Sequence, residues 1–358
     1  MNDGVGRNHL GELTINNIVL KSFDIVPNSF TDMQQMNESN KVKVRLFNIQ
    51  SNIIRNDERI ELEMINSVKN ETFLVVFGGW IPCAFIKSNT ILYADRNVIT
   101  EITTRYKGGI KKSDKALDYF DSIFLHNKSV SIDISAFVIE ANERKIPTNE
   151  LINQQVASVK ESLKRALPNL KIANYPGGNS YYHDLKDLLE PIMKKRMAFL
   201  QEVTPKLNRQ FTAKSRKEAV NVVFKAAKKA QLSKNDLVIV LALLRVTMIG
   251  KKTAAQLVLK DAQNYTEDMA YNAVCDLSTI EVLINMHNSH EKEDKSNYNV
   301  ALITKDKGLS LFSALLSNTK INGSDGDNLQ VTAKLTSSIF GDDEDLLNTY
   351  EKWLKGEY

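Results

Sequence analysis

The sequence predicts an α/β protein: strands that each hand over to a helix, a strand-rich region before them, and a large helical insertion within them. Three observations carry this reading. Two apolar segments, "ILYAD" at 91–95 and "NVALITKD" at 299–306, each run straight into an acid. Residues 1–88 contain alternation of the kind a half-buried strand shows, clearest in "VKVRLFNI". Residues 148–267 are dominated by helical spacing, interrupted by one loop rich in Pro and Gly.

In chain order, 1–88 forms the strand-rich N-terminal region, closing on the dense apolar run "TFLVVFGGWIPCAFI", where Gly78-Gly79 and Pro82 impose turns. Residues 89–147, the first part of the core, read strand, helix, helix, strand, helix, and Pro147 marks a boundary. The insertion, 148–267, opens with a helix to about 170, passes through "NYPGGNSYYHD" as a loop, and is almost wholly helical from 182. Residues 268–358 return to the core with a helix, the strand at 299–304 and an amphipathic tail.

Hydrophobic content of 42% and charged content of 25% are ordinary for a globular chain of 358 residues. The longest apolar run, "LVIVLALL" at 237–244, is eight residues, against about 20 for a membrane span, so a buried element and no membrane association are expected. The N-terminus lacks the pattern of a secretory signal, and two cysteines cannot build a disulfide framework, so a cytoplasmic setting is expected. The net charge of +4 is uneven: residues 191–260 carry 16 Lys and Arg against 3 acids, a local +13 that leaves −9 for the remainder. Such a segment suits an acidic partner, nucleic acid above all. It equally suits a solvated amphipathic face, as in "KEAVNVVFKAAKKAQ", where Lys225, Lys228 and Lys229 lie opposite the apolar stripe.

In a parallel sheet the carboxyl ends of the strands gather at one edge, where ligands bind. Asp95 and Asp306 end strands; Glu140 rides on the helix after "SVSIDIS", and Asp276 stands near the start or in the first turns of the helix in "AYNAVCDLSTIEVLIN". Four converging carboxylates resist joint ionisation unless a cation sits among them. An oxygen-preferring ion such as Mg²⁺ or Mn²⁺ fits that chemistry and activates water toward a phosphodiester. Each acid also has a plainer reading. Asp95 suits a helix cap, Asp306 a turn with Gly308, Glu140 a solvent-facing helix position, and Asp268, Glu267 or Glu281 compete with Asp276. His287 and His290, three apart in a polar stretch, read as surface residues, and Cys83 and Cys275 have no zinc spacing.

Four segments in order, "YADRNVI", "ISAFVIEANER", "CDLSTIEVLI" and "ALITKDKGL", resemble those of the PIN-domain nucleases. The resemblance implies a three-layer α/β/α core with a parallel sheet, and metal-dependent cleavage of phosphodiester bonds, in RNA rather than DNA. It implies Asp95, Glu140, Asp276 and Asp306 as metal ligands and catalytic acids, Asn97 as hydrogen-bond support for the first, and Thr304 as the residue orienting the last. Arg96 stands where the family commonly has a small hydroxyl residue, and a cation there meets phosphate. The spacing departs from compact members: 136 residues separate Glu140 from Asp276, and 30 separate Asp276 from Asp306. The resemblance leaves room for an inhibitory or guiding protein partner and for oligomers. Two other classes compete: a non-catalytic nucleic-acid-binding protein on the same fold, and a haloacid-dehalogenase-like phosphatase with "FGDDED" at 340–345 as its late acidic motif.

Overall fold

The computed structural model describes residues 5–7, 12–32, 41–53, 59–65, 72–116, 118–126, 129–248, 250, 252–260, 262, 264–292, 298–316, 320–322, 331–335, 339–340 and 343–358. The alternation in the N-terminal region becomes a five-stranded antiparallel sheet in chain order: β1 (Val5–Arg7), β2 (Leu13–Ile15), β3 (Ile18–Val26), β4 (Lys41–Ser51) and β5 (Ile60–Ile65). In β4 the buried residues are Val42, Val44, Leu46 and then Ile49. The period of two slips by one at Asn48, whose φ of 50° accompanies a register shift against β3.

The second sheet has the order β12-β11-β8-β13-β6-β7. Its members are β6 (Phe73–Val76), β7 (Gly79–Ile81), β8 (Thr90–Ala94), β11 (Ser131–Asp133), β12 (Lys171–Ile172) and β13 (Asn299–Thr304). A small hairpin, β9 (Tyr106–Lys107) with β10 (Ile110–Lys111), lies apart from it. β12, β11, β8 and β13 are mutually parallel, whereas β6 runs antiparallel to β13 and β7 antiparallel to β6. The sheet is therefore mixed rather than wholly parallel. A two-residue turn at Phe77-Gly78 can only join antiparallel strands, and it carries them to the sheet's edge. Residues 73–81 thus belong with the central sheet and not with the N-terminal strands before them. A Cβ on Gly79 would stand 2.2 Å from the Asn28 carbonyl, because Asn28 and Trp80 pair their backbones across this junction.

Successive residues of each central strand enter opposite cores. Phe73, Val75, Tyr93, Val300 and Leu302 face one; Leu74, Leu92, Ala94, Ala301 and Ile303 face the other. Helices α1 (Arg96–Arg105) and α3 (Asn149–Ala166) cover the second face. On the first lie α4 (Asn179–Leu207), α5 (Ala213–Lys229), α6 (Leu237–Thr247), α7 (Ala254–Leu259), α8 (Glu267–Lys292), α9 (Lys307–Leu316) and α10 (Glu344–Lys355). The short α2 (Ser135–Glu140) feeds both. The run "LVIVLALL" is the buried α6, and no helix among the described residues is long and apolar enough to cross a membrane. The loop "NYPGGNSYYHD" is shorter than its composition suggests. Gly177 and Gly178 take φ of 82° and 62°, and α4 begins at once with Asn179.

Chain direction decides where a ligand would find an edge. From β8 the chain steps to β11 and then β12, always outward on one flank. The helical insertion then returns it to β13 on the other flank of β8. The order reverses between β8 and β13, and the crevice outside the carboxyl ends of such strands is where open α/β sheets bind ligands.

Candidate functional site

β8 and β13 both end on a carboxylate that starts the next helix. Asp95 is the N-cap of α1, its Oδ1 accepting the Val98 N–H at 2.8 Å. Asp306 caps α9 in the same way, accepting the Leu309 N–H at 2.9 Å. Thr304 joins them: its hydroxyl donates to the other oxygen of Asp95 and accepts the Asp306 N–H at 2.8 Å. Both acids thus cap helices, and Gly308 lies within α9 rather than in a turn headed by Asp306. The Asn97 side chain is exposed, and the groups that hold Asp95 are Thr304, the Val98 N–H and the backbone N–H of Asn97. This corrects the expected side-chain support, because the second residue of a helix capped by a buried acid points its own side chain outward.

Glu140 ends α2, where Ala141 turns the chain with φ of 49°. Arg96 donates to the Ala141 carbonyl at 2.9 Å, which ties the start of α1 to the end of α2. The Tyr271 hydroxyl donates to the Ile139 carbonyl at 2.6 Å, which ties α8 to α2. Asp276 projects from α8 roughly two and a half turns from its first residue. The competing acids fall away. Asp268 and Glu267 are exposed, Asp268 facing Arg144 at 3.8 Å. Glu281 is fully buried, with Arg196 donating to its two oxygens at 2.6 and 2.7 Å.

The four acids feel one another. Burial pushes the Asp95 carboxyl up to about 6, against the hydrogen bonds from Thr304 and Val98, and the charge of Asp306 raises it further. Glu140 is raised to about 7, first by burial and then by Asp95, with Arg96 and Lys260 opposing. Asp276 lies well above the usual carboxylate range, again from burial first, then from Asp306, Glu140 and Asp95, with Lys260 opposing. Glu140 and Asp276 keep part of their side-chain surface open, so the burial is that of a recess and not of a sealed core. Four acids from four separate segments thus lie within electrostatic reach of others of the set, with Arg96 near Glu140 and Lys260 near Glu140 and Asp276, at the switch point of the sheet. Among the described residues, no three His, Cys, Asp or Glu side chains stand as a ready-formed set around an ion. The donor chemistry nevertheless suits a hard divalent cation. The Asp95 oxygen that accepts the Thr304 hydroxyl retains a further lone pair.

Lys225, Lys228 and Lys229 are exposed on α5, whose main neighbours are α4, α6 and α10. Lys229 pairs with Glu202 at 2.7 Å, and Lys228 donates to the Tyr358 carbonyl. His287 and His290 are on α8 and line a cleft of about 530 Å³ with Phe77 and Tyr298, at the end of β8 and β13 away from the acids. Of "FGDDED", 341 and 342 lie outside the described residues, and Asp343 caps α10.

The structure adds an acid the sequence reading passed over. Asp133 is fully buried at the end of β11, its Oδ1 accepting the Ser135 N–H at 2.7 Å and the Ser135 hydroxyl at 2.6 Å, its Oδ2 accepting the Tyr175 hydroxyl. The signal was present: "SVSID" is a third acid after a strand. Comparison with known proteins found no matching family model, no match among curated proteins and no match among solved structures.

Proposed function

We propose that this chain is a metal-dependent nuclease on a PIN-like core, cleaving phosphodiester bonds in RNA in preference to DNA. One observation carries the reading. Asp95 and Asp306, 211 residues apart in the chain, cap helices at the ends of the adjacent parallel strands β8 and β13 and are joined through Thr304, and Glu140 and Asp276 lie within electrostatic reach of them. Clusters of this kind, built where a sheet reverses its order, are typical of functional sites. The preference for RNA rests on likeness to the family alone.

In this reading the four carboxylates hold Mg²⁺ or Mn²⁺, which when bound polarises the phosphodiester and lowers the pKa of an attacking water. The chain's own residues do the rest. Thr304 fixes Asp95 and Asp306 relative to one another. Arg96, held by the Ala141 carbonyl beside Glu140, and Lys260, beside Glu140 and Asp276, supply positive charge for the phosphate oxygens. Lys225, Lys228 and Lys229 extend the backbone-tracking surface in this scheme. The setting is cytoplasmic, with a restraining or guiding protein partner compatible with it.

A non-catalytic nucleic-acid binder is the second reading, favoured by the lack of a ready-formed ion site among the described residues. The phosphatase reading is weakened because Asp343 is engaged as a cap on α10, which packs against α5. The deciding experiment incubates single-stranded RNA with the protein in Mg²⁺, Mn²⁺ or EDTA, beside p-nitrophenyl phosphate. Metal-dependent RNA cleavage that is lost in Asp95→Asn supports the nuclease. Full activity in Asp95→Asn sinks it.

A further inference from the structure

The segment "NYPGGNSYYHD" contributes three aromatic rings to the edge of the sheet that carries the acids. Tyr175 and Tyr181 stack with ring centroids 4.0 Å apart and planes 19° apart, and Tyr182 meets Tyr181 edge-on at 5.3 Å. Tyr182 is buried, whereas Tyr175 and Tyr181 are only half-buried. Tyr181 packs against both apolar cores, and Tyr175 is part of neither. The Tyr175 ring is instead held from two sides, by the Tyr181 face and by its hydroxyl, which donates to the buried Asp133. The turn beside it is open: a Cβ on Gly178 would meet no atom within 4 Å.

Register puts Asp133, which holds Tyr175, on the same edge of the sheet as Asp95. Asp133 pairs with Tyr93 across parallel neighbours, so their side chains share a face of the sheet. Asp95 follows Tyr93 by two residues along that edge. Tyr93 lies within electrostatic reach of Asp133, Tyr181 and Cys275, and Cys275 within reach of Glu140 and Asp276. Filling a core needs no such device. A leucine packs as well as Tyr175 and asks for no buried carboxylate to hold it. A rigid aromatic face, fixed from behind and left partly open, is what an unpaired base stacks on.

We infer that the Tyr175–Tyr181 pair is a stacking platform for an unpaired base of single-stranded nucleic acid whose backbone passes the carboxylate recess. The ligand class rests on the nuclease-type reading of that recess. Bases of a duplex are already stacked on one another, so the platform selects single strands.

The test is equilibrium binding of a labelled single-stranded RNA to full-length protein with Mg²⁺, in an Asp95→Asn background that prevents cleavage. Tyr175→Leu should weaken binding about tenfold, within the range that loss of one stacked base produces, at the melting temperature of Tyr175→Phe, since both lose the hydrogen bond to the buried Asp133. Tyr175→Phe keeps the ring and should stay within about twofold. An abasic RNA and a blunt duplex should bind weakly and be indifferent to Tyr175→Leu. If Tyr175→Leu fails to fold, 2-aminopurine in the RNA reports stacking on the unsubstituted platform directly, by fluorescence quenching. Unchanged affinity in folded Tyr175→Leu, abasic RNA bound as tightly as intact RNA, absent quenching, or no binding of single strands at all would each overturn the platform. Metal-dependent cleavage by the wild type, assayed separately, distinguishes the two ideas. Cleavage with Tyr175-independent binding removes the platform and spares the nuclease; Tyr175-dependent binding without cleavage does the reverse.

Discussion

Removing one charge from the carboxylate recess should stabilise the metal-free protein at alkaline pH. Asp95 is 7% exposed, and its carboxyl rises from 3.8 to about 6 on folding. That change is worth on the order of 3 kcal/mol between the charged and neutral forms. The folded state prefers the proton, so the favourable contribution is complete below about pH 4 and lost as pH rises through about 6. At pH 8 the folded wild type carries the whole penalty. Asp95→Asn removes it, keeps a good N-cap, and gives up roughly 1 kcal/mol of charge-assisted hydrogen bonding to Thr304 and Val98. The variant should therefore be more stable than wild type by about 2 kcal/mol at pH 8, shrinking to under about 1 kcal/mol at pH 5. Urea unfolding in EDTA at the two pH values measures both. Saturating Mn²⁺ should reverse the order, since only the wild type retains the full ligand set. An Asp95→Asn variant no more stable than wild type at pH 8, or equally shifted at both pH values, would refute the electrostatic argument and leave Asp95 as a cap alone.

Arg196→Met should cost about 3–5 kcal/mol in urea unfolding, because Asp236 and Glu281, both fully buried, lose their shared cation; a loss under about 1 kcal/mol would contradict this. Thr304→Val should lower stability by about 1–3 kcal/mol and move the Asp95 titration above about 6, read by carboxyl-carbon NMR, since it strips a hydrogen bond from Asp95 and a partner from the Asp306 N–H. Reversing Lys225, Lys228 and Lys229 to Glu should weaken RNA binding and flatten its salt dependence if α5 tracks the backbone. The exposed pairs of Lys228 and Lys229 limit the stability change to within about 1 kcal/mol, and an unchanged salt slope returns α5 to a solvated face.

The parts legible in the sequence are those whose cause is local. β8 and β13 announce themselves as apolar runs, and the acid after each is visible because a buried strand must stop before a charge. The turn at Phe77-Gly78 is equally local, but the partner of β6 is β13, more than 200 residues away, and no pattern within 73–81 specifies it. Asp133 escaped notice because a three-residue strand has no readable period, although the same acid-after-strand rule applied. Asp276 and Glu281 are both helix acids five residues apart; only Arg196, from α4, separates a recess acid from a buried ion pair. Asn97 was misread because its role was transferred from a motif, while helix geometry alone turns it outward.

Capping and clustering at Asp95 and Asp306 are one device rather than two rival explanations. A capping carboxylate is oriented by its N–H donor, so α1 and α9 fix where one oxygen of each acid sits, to within a hydrogen-bond length. The Asp95 oxygen that accepts the Thr304 hydroxyl keeps a further lone pair. The helices also begin at the recess, and each N-terminus contributes partial positive charge worth roughly 0.3–1 kcal/mol to a nearby anion. Two such termini, with Arg96 and Lys260, oppose the repulsion among four acids without neutralising it. The residual repulsion is visible in the raised carboxyls of Asp95, Glu140 and Asp276, in which burial is the larger cause. Aspartate also caps α6 and α10, at Asp236 and Asp343, so what sets the two strand ends apart is their juxtaposition through Thr304 and not the choice of residue. Aspartate at both strand ends, within electrostatic reach of Glu140 and Asp276, concentrates negative charge, which in the proposed nuclease a bound cation would relieve.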